Sequence, residues 1–370
     1  MKDFHGIIFA YHASPELREL VSVRTAASLP FCGRYRLIDF ALSSMMNAGL
    51  RDVGVIMQRD YQSLLDHIGS GKAWDMSRKE GGLRILPPFG LPELHTGNYS
   101  GTMEALNAVG EYIRDIPQKH VILLLGNLCA NIDLNKAKLQ HLRSGAPITA
   151  ICADHTPDGL HHRYVVGEDG FVKTVLFDRV GEGEGLPSLE GYIIDKDLLL
   201  SLMDRCKALN LYRFHKDGIS MYLNEGGKMG VFVHEGYASV IRTVNAYYQA
   251  NRDMLCSEKR SQLFPADRPV RTKNHEGVST YYGVDAVSRR SLVADNCIIE
   301  GEIENCIVFS GVRIGKGAKV KDSILMRRCV VGDNCELSHV ISDKACTYSA
   351  GTVLTGNERL PIVVPKGSTV

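Results

Sequence analysis

Between Ile7 and Phe31 the chain has no glycine. The stretch IIFAYHASPELRELVSVRTAASLPF lies between an apolar strand and a helix-like segment, Ile38 to Ser44. Nucleotide-binding α/β proteins usually keep a glycine-rich phosphate loop at that place. Tyr11, His12, Pro15 and Glu16 stand there instead. A CxxC pair is also missing. The ten cysteines are scattered, which argues against a zinc or disulfide framework and for reduced thiols used as small apolar residues. Charge of one sign is absent too. Lys plus Arg (43) nearly cancel Asp plus Glu (42), for a net charge of +1, so no net field draws nucleic acid or an anionic membrane. The most apolar run, VILLLG from Val121, is far below membrane-spanning length, and the N-terminal apolar run is too short for a signal peptide. A cytoplasmic chain acting on a small molecule or another protein is expected.

The chain has 370 residues, 44% of them hydrophobic, enough for two domains with large cores. Up to about residue 255, β-branched or apolar runs alternate with amphipathic stretches: GIIFA then DFALSSMMNAG, RDVGVIM then YQSLLDHIG, KHVILLLG then NKAKLQHLRSG. This alternation predicts βαβ units, a mainly parallel sheet covered on both faces, and a Rossmann-type α/β domain over 1–255. Ligands of such sheets sit at the carboxyl ends of the strands, which here are the loops beginning at Tyr11, Gly126 and after Met57.

From about Tyr281 the period changes. GVRIGKGAKVKDSIL is echoed seventeen residues later by CVVGDNCELSHVI, aligning Ile314 with Val331, Gly315 with Gly332 and Val320 with Leu337. Aliphatic residues about every six positions predict short strands stacked into a parallel β-helix over 281–370. The charged, proline-containing stretch 256–280 reads as a linker. His161, His162 and Arg163 lack acidic or cysteine ligands at helical spacing and are expected in a surface loop.

PFCGRYRLIDFALSSMMNAGL, HIGSGKAWDMSRKEGGLRILPP, the GT at Gly101 and the C-terminal hexapeptide pattern, in that order, resemble the ADP-glucose pyrophosphorylase (glucose-1-phosphate adenylyltransferase) family. The resemblance covers nearly the whole chain. It implies a nucleotidyltransferase-like domain followed by a left-handed parallel β-helix. The family joins glucose 1-phosphate to the α-phosphate of ATP, releasing pyrophosphate, with Mg2+ held by two aspartates and the triphosphate over a GGxGxRL loop.

Carried over residue by residue, the resemblance puts Tyr11 and His12 at the loop's leading glycines, Ser14 at the third glycine, Glu16 at the arginine and Ala26 at the following lysine. Side chains at the glycine positions block close backbone approach to phosphate. Asn127 stands at one metal aspartate and Arg213 at the other, while Arg179 replaces the lysine that grips the sugar phosphate. The scaffold positions Pro30, Phe31, Gly33, Tyr35, Arg36, Asp39, Trp74, Gly101, Thr102 and Asn251 are kept. The chain thus resembles the second, GlgD-type subunit of the bacterial enzyme. That resemblance implies a regulatory, largely non-catalytic partner in glycogen biosynthesis. No catalytic residue, metal or cofactor is then expected on this chain; Mg2+ belongs to a catalytic subunit, with which it forms a hetero-oligomer, expected as a heterotetramer. Arg24 and Arg36 match basic positions that hold anionic effectors in regulated members. Arg24 as a solvated charge and Arg36 as an ion pair to Asp39 are the structural alternatives. Two other functions stay open: a working adenylyltransferase with a rearranged site using Asp133, Lys216 and Glu104, and a hexapeptide-repeat acyltransferase, for which His339 is the lone histidine.

Overall fold

A computed structural model describes residues 3–11, 14–79, 81–87, 99–156, 160–274 and 277–370. His12 lies outside the described residues. The chain forms two compact units: Met1–His12 with Ile38–Val240 and Leu263–Arg271, and Ala13–Leu37 with Ile241–Gln262 and Thr272–Val370. The boundaries expected at 255 and 280 follow chain order; these units do not.

The first unit is a sheet flanked by helices. Its strands are β1 (Phe4–Phe9), β2 (Asp52–Ile56), β3 (Gly82–Leu86), β4 (His120–Leu125), β5 (Ile148–Ala153), β6 (Leu160–Val166), β7 (Val172–Val180), β8 (Leu186–Asp195) and β9 (Met229–His234). They run in the order β3-β2-β1-β4-β8-β5-β9, with the β6–β7 hairpin joined to the start of β8. Parallel pairing holds from β3 through β4 and between β5 and β9. The sheet is nonetheless mixed, because β8 runs antiparallel to both β4 and β5. β1, β5 and almost all of β4 and β8 are buried, as strands covered on both faces must be. Helix α1 (Ile38–Asn47) is buried from Ile38 through Met45. Its Asp39 is buried against His67 Nε2 at 2.5 Å. Helix α2 (Leu134–Ser144) is capped by Asp133, which accepts from Lys136 N, and ends on Gly145 at φ 63°. Helix α3 (Lys196–Ala208) follows β8 directly.

The second unit is a β-helix of three five-stranded parallel sheets. Ile314 pairs with Val331 and Val320 with Leu337. Most steps are seventeen residues, but Val287 pairs with Glu302, Leu292 with Ile307 and Ile298 with Arg313, each fifteen on, and Val340 with Ile362, twenty-two on. Ile299, Ile303, Ile314, Val320, Val331 and Leu337 fill the interior with Cys297, Cys306, Cys329, Cys335 and Cys346. These thiols donate to backbone carbonyls, Cys329 to Asp343 O at 2.9 Å and Cys335 to Ser349 O at 3.0 Å. Asn296, Asn305, Asp322 and Asn334 adopt positive φ, the conformation that Asn and Asp tolerate best after glycine. Helix α4 (Val244–Asp253) belongs to this unit. Its Tyr247 hydroxyl donates to Pro30 O at 2.6 Å, and Asn251 Oδ1 accepts from Cys32 N at 2.9 Å. Arg252 reaches Asp322 at 3.2 Å and Glu358 at 2.7 Å. The retained Asn251 therefore fastens the 30–37 segment.

Candidate functional site

In the first unit the carboxyl ends of β1 and β4 deliver Tyr11 and Asn127. Tyr11 is buried, with its ring edge-on to Tyr99 at 5.1 Å. Burial first, then Tyr99, Glu104 and Glu190, push its hydroxyl well above the usual tyrosine range, so it remains a neutral phenol among carboxylates. That surrounding disfavours a polyphosphate. Asn127 follows Gly126, whose N–H donates to Phe9 O at 2.8 Å, and is itself buried.

The 212–217 segment is fixed by its own backbone. Gly101 comes so close to Tyr212 that an added Cβ would sit 2.2 Å from the Tyr212 carbonyl oxygen. Met103 N donates to that oxygen at 2.9 Å, and Thr102 Oγ1 accepts from Phe214 N at 3.2 Å. The retained Gly-Thr pair is thus a backbone junction. Asp217 accepts from Arg213 N at 2.8 Å, and the Arg213 side chain is exposed. A divalent-cation site uses oxygen donors bearing negative charge. Asn127 supplies a neutral amide and Arg213 a cation, so these residues do not fit one. Arg179, also exposed, follows Asp178, whose carboxylate pairs with Lys216. The hydrogen bond from Lys216 is the main cause holding the Asp178 carboxyl below its ordinary range.

His162 and Arg163 are not in a surface loop. Both are buried in β6. The Arg163 guanidinium donates to the carbonyls of Gly181 at 3.0 Å, Gly183 at 2.7 Å and Glu184 at 3.0 Å. His162 stacks on His215 with centroids 4.0 Å apart, and its Nε2 lies 3.4 Å from Glu190 Oε1. Glu190 occupies an irregularity in the β8–β5 pairing at φ 53°. A bulge re-aims a side chain that regular alternation would send elsewhere. The pairing of His162 with Glu190 has no local sequence signal, since one residue comes from β6 and the other from a bulge in β8.

In the second unit, residues 15–21 form 3₁₀ turns anchored by buried Leu17 and Leu20. Leu17 N donates to Ser14 O at 3.0 Å, and Glu16 is exposed. Ala26 is buried in the next turn. Arg24 is no solvated charge. It is 2% exposed and Nη2 lies 2.7 Å from Asp343 Oδ2, itself 1% exposed. Lys344 is pushed down to about 7 by burial first and then by Arg36 and Arg24, with Lys366 adding to the effect. Arg24, Arg36 and Lys366 thus all act on Lys344, and Asp343, the partner of Arg24, opposes them.

A nucleotidyltransferase-like α/β sheet with a hexapeptide β-helix is the class these two units define. The Nucleotidyl transferase family model matches residues 6–176, and the GlmU-like, C-terminal hexapeptide model matches 278–360. The stacked coils are accordingly a left-handed parallel β-helix. The glycogen biosynthesis protein GlgD of Bacillus subtilis (strain 168) is 30% identical over 98% of this chain and 95% of its own length. Glucose-1-phosphate adenylyltransferases of Bacillus thuringiensis (strain Al Hakam) and Clostridium perfringens (strain SM101 / Type A) are 28% and 30% identical, over 91% and 88% of this chain and 90% and 84% of their own. The chain belongs to the GlgD/glucose-1-phosphate adenylyltransferase family.

Proposed function

We propose that this chain is a regulatory, largely non-catalytic subunit of a glucose-1-phosphate adenylyltransferase in bacterial glycogen biosynthesis, acting in the cytoplasm as part of a hetero-oligomer, a heterotetramer by expectation. The observation that carries the proposal is the pair Asn127 and Arg213 at the positions where the family resemblance expects metal carboxylates. Mg2+ then belongs to the catalytic partner. Tyr11 among Glu104 and Glu190 supports the same reading, because it leaves negative charge where a triphosphate would lie. The rearranged-site alternative is disfavoured by local bonding. Asp133 caps α2, Glu104 accepts from Ser100 N, and Lys216 is taken by Asp178. An acyltransferase is disfavoured because His339 is the lone histidine of 281–370.

The cluster of Arg24, Arg36, Lys344 and Lys366 is the proposed seat of an anionic effector. An effector alters the partner's activity only by binding its more and less active states unequally. The test is to purify the chain alone and with the catalytic homologue of the same cell, then measure complex formation by sizing and ADP-glucose synthesis by pyrophosphate release. The chain alone should be inactive, and adding it should change substrate affinity, maximal rate or effector response. Turnover by the lone chain comparable to the homologue, or absence of any complex, overturns the proposal.

A further inference from the structure

At the amino-terminal end of β4, three side chains from separate elements meet: His120 opens β4, Asp195 closes β8 and His141 lies in the last turn of α2. The antiparallel register pairs Asp195 directly with His120. His120 Nδ1 is 2.8 Å from Asp195 Oδ1, His141 Nε2 is 3.4 Å from the same oxygen, and the two imidazole nitrogens are 3.4 Å apart. In a tetrahedral zinc site with bonds of about 2.0–2.1 Å, ligand atoms are spaced about 3.3–3.4 Å apart. Two of the three separations match that edge, and the third is shorter. The rings stand at 85° to each other, which lets both lone pairs converge. His162 and His215 instead lie face to face at 30°.

Two further features favour ligation. Asp195 occupies the N-cap position of α3, where an aspartate ordinarily accepts from the helix backbone, yet it makes no such bond and turns to the imidazoles. His141 Nδ1 is 2.8 Å from Thr149 Oγ1. That outer contact orients the ring and leaves Nε2 free to ligate, as outer partners do at metal sites. His120 and Asp195 border a cavity of about 620 Å3 that Gln118, Lys119 and Lys196 also line. A fourth ligand, water or a small anion, has room there.

We propose that His120, His141 and Asp195 form a metal site for Zn2+ or a similar imidazole-preferring divalent ion, at the strand ends opposite to those carrying Tyr11 and Asn127. Nothing in this assignment depends on whether the chain is catalytic. The test uses the full chain stripped with a chelator, titrated with Zn2+ against a chromophoric competitor and, separately, with Co2+ under visible spectroscopy. One ion per chain should bind, with a Co2+ spectrum of nitrogen and oxygen ligation. His141→Gln and His120→Gln should each weaken binding by about 100-fold or more, and Thr149→Val by about 10- to 100-fold. His162→Gln should leave it unchanged. Circular dichroism of the stripped variants checks folding, and Thr149→Val keeps the ligands should a histidine variant misfold. Absence of stoichiometric Zn2+, wild-type affinity in Thr149→Val and in the folded histidine variants, or a thiolate-to-cobalt charge-transfer band pointing to cysteines would overturn the site.

Discussion

The β-helix and the loops at the carboxyl ends of the sheet treat polar groups differently. In the β-helix, the coils repeat one solution: aliphatic and cysteine side chains inside, thiols donating to carbonyls, and corners at positive φ, taken by Asn296, Asn305, Asp322 and Asn334 and also by Arg290, Arg328, His339 and Ala345. A change at one coil leaves the others able to stack. At the sheet's carboxyl ends no solution repeats. Asp178 takes Lys216, Arg163 binds the carbonyls of one loop, and Asp217 holds the 212–213 backbone. Asp178, Lys216, Arg163 and Asp217 are engaged within the protein, while Arg179 and Arg213 are exposed. The comparison teaches that the β-helix settles its polar groups by repetition, whereas at the strand ends Asp178, Arg163 and Asp217 are each settled by a separate partner.

The largest effect concerns turnover. Each missing donor in a comparable site is worth about 2–4 kcal/mol, although such effects do not simply add. The isolated chain should therefore make ADP-glucose many decades more slowly than the catalytic homologue. Pyrophosphate release by chain purified from a host lacking that homologue measures this directly. A rate within tenfold would mean that the charges at the strand ends are still available to substrate.

Next in size is the buried ion pair of the second unit. Arg24→Ala leaves Asp343 charged and without its partner at 1% exposure, which should cost about 3–5 kcal/mol in denaturant unfolding. Replacing both, Arg24→Met with Asp343→Leu, should recover much of that loss, since paired apolar replacements are often neutral. Within the β-helix, Leu337→Ala should cost about 2–5 kcal/mol by transfer and cavity terms. If both changes were silent, the basic cluster and the stacked core would be less well packed than these contacts imply.

The β-helix was largely legible because a seventeen-residue echo fixes register without reference to distant contacts. The pairings of Ile314 with Val331 and of Val320 with Leu337 appear both as sequence echo and as strand register. Strands β1, β2 and β4 were legible as apolar runs, but β8, whose direction makes the sheet mixed, was not read. A strand buried along nearly its whole length has the same apolar pattern whichever way it runs. His162 and Arg163 were misplaced for a related reason, since two polar residues in sequence give no sign that a strand will bury them. The solvated-charge alternative for Arg24 failed because its acid lies 319 residues away. The expected sites in the first unit are only partly gathered. Tyr11 adjoins Glu104 and Glu190, which no spacing rule connects, whereas Arg179 and Arg213 are exposed.

A smaller effect should follow pH in the second unit. Lys344 is lowered from 10.5 to about 7, so between those values the unfolded chain binds a proton that the folded chain does not. Stability contributed through this group should rise as pH goes from about 7 to about 10.5 and stay flat below that window. Lys344→Met should remove that slope in urea titrations. An anion bound beside the lysine favours its charged form, so affinity for sulfate, whose own charge is constant, should fall in the wild type as pH rises through about 7, and the slope should shrink in Lys344→Met. A pH-independent affinity would separate Lys344 from the proposed effector cluster.

The smallest expected effect is the recovery from a single repair. Asn127→Asp returns one carboxylate to the end of β4, but Arg213 still supplies a cation at the other expected ligand position. Tyr11 still brings an aromatic ring where glycine would let backbone approach phosphate, and Glu104 and Glu190 still surround it with negative charge. The carboxylate added to a buried position also needs charge compensation, which a solitary Mg2+ with too few ligands would supply weakly. Mg2+-dependent pyrophosphate release by Asn127→Asp should therefore remain at the wild-type background. Robust synthesis from this one change would show that the other positions still cooperate around substrate, and it would reverse the contrast between a self-sufficient β-helix and strand ends whose charges are already engaged.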